Sequence, residues 1–211
     1  MSTSPSSHAW SDIAAQLAST GRELYQRGWV PATSGNFSHR LSADRALVTA
    51  SGRHKGRLGE QDFLVVDLEG RPIAPGGKPS AETLLHTQLY QRLPRVNAVL
   101  HCHSPLATVM SRQVTDRDTL TLADYELLKA FPGIDTHAAS VHLRIFDNTQ
   151  DIGALAREVD AWLADDADFP CYLIRGHGVY TWAETLEHCE RQLEALDFLL
   201  SCELEQLRLQ R

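Results

Sequence analysis

Two histidines at alternate positions, His101 and His103, are the side chains of this sequence best suited to metal chemistry. They follow the mainly apolar run 96–100, which we expect to form a buried β-strand. Alternate side chains of a strand point to the same face, so both imidazoles leave the strand end side by side. Neutral imidazole is a good ligand for Zn²⁺. The pair could also arise by chance, because the chain contains ten histidines.

His177 is the candidate for a third metal ligand. It follows another apolar, strand-like run and is flanked by Gly176 and Gly178. Catalytic zinc sites hold the ion with three protein side chains and leave one position open for water or substrate. We therefore expect one Zn²⁺ ion at His101, His103 and His177. Such a site also accepts Fe²⁺ or Mn²⁺, and the sequence leaves that choice open.

Three short loops combine glycine with hydroxyl and amide side chains, a composition that lets backbone N–H groups approach an anion closely. The third loop precedes an expected helix, whose N-terminus favours negative charge. Each loop alone could be an ordinary turn, but together they could bind a phosphate monoester. The candidate anion-binding residues are Ser34, Gly35 and Asn36 in the first loop, Ser51, Gly52 and Lys55 in the second, and Ser80 in the third. Glycine-rich nucleotide-binding motifs are absent from the sequence.

Two glutamates are candidates for a carboxylate that moves a proton beside the metal. Glu82 lies in the first turn of an expected helix, where the helix dipole alone also favours a carboxylate. Glu126 lies in another short expected helix, after the histidine pair. A metal-polarised carbonyl next to a carboxylate base allows proton abstraction. The residues themselves leave the choice between the two glutamates open.

Seven histidines lie outside the metal set. Of these, His54 shares the second loop, and the other six, His86 included, are interpreted as surface or structural residues.

Length and composition limit the class of protein. The 211 residues fit a single domain, 1–211, in which we expect residues 1–8 to be disordered. A net charge of −7 without a basic patch argues against a nucleic-acid partner. No run of about 18 apolar residues and no signal-peptide pattern is present, so we expect no membrane partner and a cytoplasmic location. The four cysteines form no Cys-x-x-Cys pair and are expected to be reduced.

Helical and strand patterns alternate along the sequence, which indicates an α/β or α+β fold. The early strands have no helices between them, so we expect antiparallel pairing there. The expected helices end near Gly28 or span 81–93, 105–111, 122–131, 152–163 and 183–209, and the expected strands span 37–41, 46–50, 63–67, 96–101, 140–146 and 171–180.

Six segments of the sequence together resemble the class II aldolase/adducin family, a resemblance that extends from about residue 10 to residue 209. They are residues 32–38, 49–52, 78–83, 101–104, 146–149 and 175–182. The resemblance implies an α/β/α sandwich with a central, mainly antiparallel sheet flanked by helices, and a homotetramer with sites at the subunit interfaces. It also implies one Zn²⁺ per subunit on the three histidines, and a substrate phosphate held by the loops that contain Asn36, Ser51, Gly52 and Ser80.

Residues 146–149 and 175–182 are most similar to the dehydratase branch of the family. This branch implies a lyase that removes water from a phosphorylated ketose with a methylthio group, in methionine salvage. In the aldolase branch the acid/base is the residue matching Glu82, and in the dehydratase branch it is the one matching Glu126. We expect Glu126 to be the acid/base and Glu82 to support it near the metal. The alternatives are an aldolase or epimerase acting on fuculose, rhamnulose or ribulose phosphate, and a non-catalytic adducin-like module.

Overall fold

Eight β-strands form one continuous sheet in the computed structural model, which describes residues 7–115, 118–165 and 169–210. The strands are β1 (Asn36–Ser42), β2 (Arg45–Thr49), β3 (Phe63–Asp67), β4 (Ala98–Cys102), β5 (Thr119–Ala123), β6 (Ser140–Phe146), β7 (Cys171–Ile174) and β8 (Gly178–Ala183). Their order across the sheet is β3-β2-β1-β4-β8-β7-β6-β5. All neighbours are antiparallel except β6 and β7, which confirms the expected mainly antiparallel sheet.

Helices cover both faces of the sheet. They are α1 (Ser7–Gln26), α2 (Thr83–Arg92), α3 (Pro105–Gln113), α4 (Ile152–Asp165) and α5 (Leu186–Leu209). Helices α1, α3 and α5 share one hydrophobic core with the sheet, and α2 and α4 share a second core on the other face. Strand alternation explains the two cores, because Leu100 of β4 belongs to the first and its neighbour Val99 to the second. The expected sandwich is therefore confirmed.

One edge of the sheet gathers the strand ends that carry the candidate residues. Asn36, which begins β1, pairs with His101 near the end of β4, and His101 pairs with Tyr180 near the start of β8. The end of β6 also lies at this edge, because Phe146 pairs with Ile174, the last residue of β7. The antiparallel strand β5 runs the other way and ends at the opposite edge.

Two expected elements were wrong. The expected helix 122–131 is in fact the end of β5 followed by a short 3₁₀ helix, Glu126–Ala130. Thr119–Ala123 alternates buried leucines with threonines and pairs with β6, and β-branched threonine suits a strand. The expected strand 171–180 is a hairpin whose turn contains Gly176 at φ +66°, a conformation that glycine adopts readily.

The N-terminus and the start of α2 also differ from expectation, whereas the start of α3 agrees with it. Of the residues expected to be disordered, 1–6 lie outside the described residues, whereas Ser7 and His8 begin α1. Helix α2 begins at Thr83, with Glu82 at the N-cap, two residues later than expected. Helix α3 starts as its sequence suggests, because the Ser104 side chain accepts a hydrogen bond from the Ala107 N–H at 3.2 Å. None of the described helices is both long and apolar enough to cross a membrane.

Candidate metal centre and its cavity

The three predicted histidines converge at one edge of the sheet. The Nε2 atom of His103 lies 3.0 Å from that of His101 and 3.1 Å from that of His177. His101 belongs to β4, whereas His177 lies in the β7–β8 turn, where its carbonyl accepts a hydrogen bond from the Thr108 hydroxyl of α3 at 3.1 Å. The backbone N–H of His103 donates to the Trp29 carbonyl at 2.8 Å. Two separate parts of the chain, the end of β4 and the β7–β8 turn, therefore present three imidazoles to one point.

The protonation of His101 suits a metal ligand. Its Nδ1 lies 2.9 Å from the Val179 carbonyl, which can only accept, so Nδ1 carries the proton and Nε2 presents a lone pair. Burial and the neighbouring histidines lower the pKa of His101 well below its usual value. Burial also lowers the pKa of His103, to about 4. Neutral imidazoles whose nitrogens lie this close fit a divalent transition ion.

Glu82 lies against the same point. Its Oε2 is 3.4 Å from Nε2 of His101, and its Oε1 is 3.5 Å from Nε2 of His177. Glu82 occupies the N-cap position of α2, and its side chain makes no hydrogen bond that caps the helix. The side-chain amide of Asn36 donates to Oε2 at 2.7 Å. The carboxylate is thus held next to the histidine cluster, where a metal ligand or an acid/base can act.

The candidate anion-binding loops line a cavity of about 410 Å³ beside this cluster. All seven residues expected from the sequence are among its walls, together with Glu82, His103 and His177. The second and third loops are held together by backbone hydrogen bonds, from Ser51 N–H to the Lys78 carbonyl and from Ser80 N–H to the Thr49 carbonyl. The cavity therefore combines a polar, hydroxyl-rich wall with a wall that carries the histidines, an arrangement that can bind an anionic, oxygen-rich ligand beside a metal ion.

Lys55 provides a buried positive charge at this cavity. Its Nζ donates to the carbonyls of Thr33 at 2.8 Å and Arg53 at 2.7 Å, which leaves one ammonium hydrogen without a partner among the described residues. Burial lowers the pKa of Lys55 to about 8, and the negative charge of Glu82 opposes this shift. The side chain is therefore mostly cationic at neutral pH and can donate to an anion.

Glu126 is not brought to the histidines of its own chain. Its carboxylate pairs with Lys129 and lies 4.0 Å from Nδ1 of His137, and 70% of the side chain is exposed. It lies three residues beyond β5, which ends at the edge of the sheet opposite to the histidines. The hydroxyl of the preceding residue, Tyr125, donates a hydrogen bond to the Glu203 carboxylate at 2.8 Å, which holds this segment against α5.

Several residues at the site were not predictable as site residues from the sequence. Gln150 and Ile152 line the cavity because β6 ends at the same edge and α4 begins there. His86 was interpreted as surface or structural, and it is fully buried behind Glu82. Its spacing of four residues from Glu82 places both on one helix face, and this spacing was the only available signal.

Comparisons with known proteins agree with this geometry. A family model for the Class II Aldolase and Adducin N-terminal domain matches residues 15–204. The methylthioribulose-1-phosphate dehydratase of Pseudomonas paraeruginosa is 57% identical over 196 residues, which are 93% of this chain and 95% of the relative. The protein of the same name from Marinobacter nauticus is 50% identical over 96% of this chain and 97% of the relative.

A solved structure, the l-fuculose-1-phosphate aldolase from Thermus thermophilus, superposes with a TM-score of 0.74 at 26% identity, covering 93% of this chain and 95% of that one. The sheet that carries the convergent histidines and the hydroxyl-rich cavity is therefore shared in its overall fold with that solved structure. The model match over most of the chain, together with relatives at least half identical over nearly their full length, shows that it belongs to the class II aldolase and adducin family.

Proposed function

We propose that this protein is a zinc-dependent dehydratase that converts 5-methylthioribulose 1-phosphate to 2,3-diketo-5-methylthiopentyl 1-phosphate and water. The observation that carries the proposal is the convergence of His101, His103, His177 and Glu82 beside the anion-binding cavity. The names of relatives that are 50% and 57% identical supply the substrate. A role in methionine salvage, a cytoplasmic location and a homotetramer belong to the same proposal.

The binding half of the mechanism follows from the cavity walls. The substrate phosphate is held by the loops that contain Ser51, Gly52 and Ser80, with Lys55 supplying a positive charge. This end is remote from the bonds that change, so its binding energy orients the sugar. The three histidines would hold Zn²⁺, which when bound polarises the C2 carbonyl as a Lewis acid.

The chemical half of the mechanism requires one carboxylate. The carboxylate takes the proton from C3, whose acidity the adjacent carbonyl raises, and in its acid form it returns a proton to the leaving C4 hydroxyl. The C3 hydrogen and the C4 hydroxyl leave as water, and the resulting enol becomes the 2,3-diketone. We propose Glu126 as this acid/base, with Glu82 supporting it at the histidine cluster.

Glu126 can serve this role only from a second subunit. In its own chain it lies beyond the opposite edge of the sheet, exposed to solvent. Its neighbour Leu127 is 37% exposed. Leu127 lines a surface groove together with Phe198 of α5, which is 55% exposed. An apolar surface of this kind suits a subunit contact. We therefore propose that Glu126 of one subunit completes the site of its neighbour in the homotetramer.

The alternative function is an aldolase of the fuculose-phosphate type, which the position of Glu82 favours. Its carboxylate lies within 3.5 Å of two cluster histidines, where the resemblance to the aldolase branch places an acid/base. Product analysis after incubation with 5-methylthioribulose 1-phosphate decides between the two. A diketone without cleavage supports the dehydratase. Cleavage with release of a three-carbon phosphate shows an aldolase, and no turnover by metal-loaded enzyme rejects the proposal.

A further inference from the structure

A ladder of buried polar side chains extends from Glu82 into the layer between β1 and α2. Alternate residues of β1, Asn36 and Ser38, face this helix, and Glu82, His86 and Tyr90 recur at intervals of four along it. Ser38 is fully buried, and Tyr90, His86 and Asn36 are at most 5% exposed. A buried polar side chain requires partners, and each of these finds one in the ladder.

Four hydrogen bonds connect the ladder. The Asn36 amide nitrogen lies 2.7 Å from Glu82 Oε2, and His86 Nε2 is hydrogen-bonded to Asn36 Oδ1. Ser38 Oγ lies 2.7 Å from Nδ1 of His86 and 2.6 Å from the Tyr90 hydroxyl. The connection from Tyr90 to Glu82 is therefore unbroken.

The Glu82 carboxylate determines the direction of every one of these bonds. Because an ionised carboxylate only accepts, Asn36 must turn its NH₂ group to Glu82 and its oxygen to His86. His86 must then donate from Nε2, and as a neutral imidazole it accepts at Nδ1 from the Ser38 hydroxyl. Ser38 in turn accepts from Tyr90. Burial lowers the pKa of His86 to about 4, so the ring is neutral at physiological pH.

We propose that Tyr90, Ser38 and His86 form a positioning relay that acts through Asn36. It fixes the Asn36 amide with its NH₂ group towards Glu82, and so holds the Glu82 carboxylate against His101 and His177. None of the three relay residues lines the cavity, and none is hydrogen-bonded to His101, His103 or His177. They therefore affect the reaction only through Asn36 and Glu82. The expected kinetic effects of the relay rest on the proposed function, whereas the direction of its hydrogen bonds does not depend on it.

Nitrogen-15 NMR of the histidine rings tests the direction of the relay without any substrate. We expect His86 as the Nε2–H tautomer and His101 as the Nδ1–H tautomer, because their fixed acceptors lie on opposite ring nitrogens. The spectrum of His86→Gln identifies the His86 signals. An Nδ1–H tautomer of His86 would reverse every bond and overturn the proposal, whether or not the protein is a dehydratase.

Substitutions test whether the relay controls the site. In Ser38→Ala, His86 Nδ1 loses its donor, and we expect kcat to fall by about 10- to 100-fold with KM within about twofold, as for other partners that orient metal-site residues. The affinity for Zn²⁺, measured by chelator competition, should fall about tenfold. Tyr90→Phe, an isosteric change, should act in the same direction but less strongly, and it serves if Ser38→Ala does not fold.

Tyr172→Phe is the matched control. Tyr172 is a fully buried phenol in the same core as Tyr90, but its hydroxyl has no hydrogen-bond partner among the described residues. We expect it to match the wild type in kcat and Zn²⁺ affinity. The proposal fails if Ser38→Ala and Tyr90→Phe also match the wild type, or if all three variants lose activity equally. The zinc measurement still decides if the wild type does not dehydrate the proposed substrate.

Discussion

At the scale of single residues, the sequence indicated the three histidines that converge, because strand alternation and flanking glycines are local signals. The period of two in a strand places His101 and His103 on one face, and the apolar, strand-like run before His177 made that residue the candidate for the third ligand. The role of His86 was not predictable, because it depends on the register that places Asn36 and Ser38 opposite α2. Local patterns thus predict which side chains can bind a ligand better than they predict which side chains position them.

Replacing His101 removes a proposed metal ligand whose tautomer is fixed by the Val179 carbonyl. We expect His101→Ala to lose both bound metal and turnover, because two remaining histidines do not make a catalytic zinc site. Elemental analysis of purified protein should fall from about one ion per subunit to near zero. His142→Ala is the control, since this histidine is exposed on β6. Full metal content in His101→Ala would remove this residue from the ligand set.

The charge on Lys55 predicts a pH dependence of substrate binding. Its pKa of about 8 means that the ammonium is present below that pH and is lost above it. We therefore expect KM to rise between about pH 7 and about pH 9, because a charge-assisted hydrogen bond to phosphate contributes about 1.5–3 kcal/mol. Lys55→Met should show a KM at least about tenfold higher at pH 7, with a flat profile over this range. An unchanged pH profile in Lys55→Met would show that another group titrates.

At the scale of elements, the sheet edge determines which loops meet. The sequence predicted most helices and strands, but it assigned the last two residues of β5 to a helix and the β7–β8 hairpin to one strand. Both segments take their structure from pairing with a neighbouring strand, and the residues with which a strand pairs are not visible in its own sequence. The consequence for function is large, because the corrected β5 carries the following segment, with Glu126, to the opposite edge.

Gly35 shows how closely the first anion-binding loop is packed against β4. A Cβ atom added there would lie 2.8 Å from the His101 carbonyl oxygen, at a φ of +75°. Gly133 has a similar φ of +78° but open space around it. We expect Gly133→Ala to cost about 1–2 kcal/mol through backbone strain. Gly35→Ala should cost a further 1–3 kcal/mol or so through overpacking. Urea unfolding of both variants measures the difference, and equal losses would contradict the close contact.

At the scale of the whole molecule, a single chain brings together the residues that line the cavity but not Glu126. The resemblance to the family implies sites at subunit interfaces, and the proposed role of Glu126 requires such a site. A carboxylate at the opposite edge of an eight-stranded sheet can reach a histidine cluster only when a second copy presents it. Oligomerisation would then be a requirement for catalysis.

Mixing two inactive variants tests this requirement. Glu126→Gln retains the histidines and lacks the acid/base, whereas His101→Ala retains Glu126 and lacks the metal site. After joint unfolding and refolding in equal amounts, a site is complete only when a Glu126→Gln subunit receives Glu126 from a His101→Ala neighbour. Random assembly in a cyclic tetramer gives about one quarter of the wild-type activity. Each variant refolded alone should remain inactive. If Glu126 acts within its own chain, the mixture also stays inactive, and if Glu82 is the acid/base, Glu126→Gln alone retains full turnover.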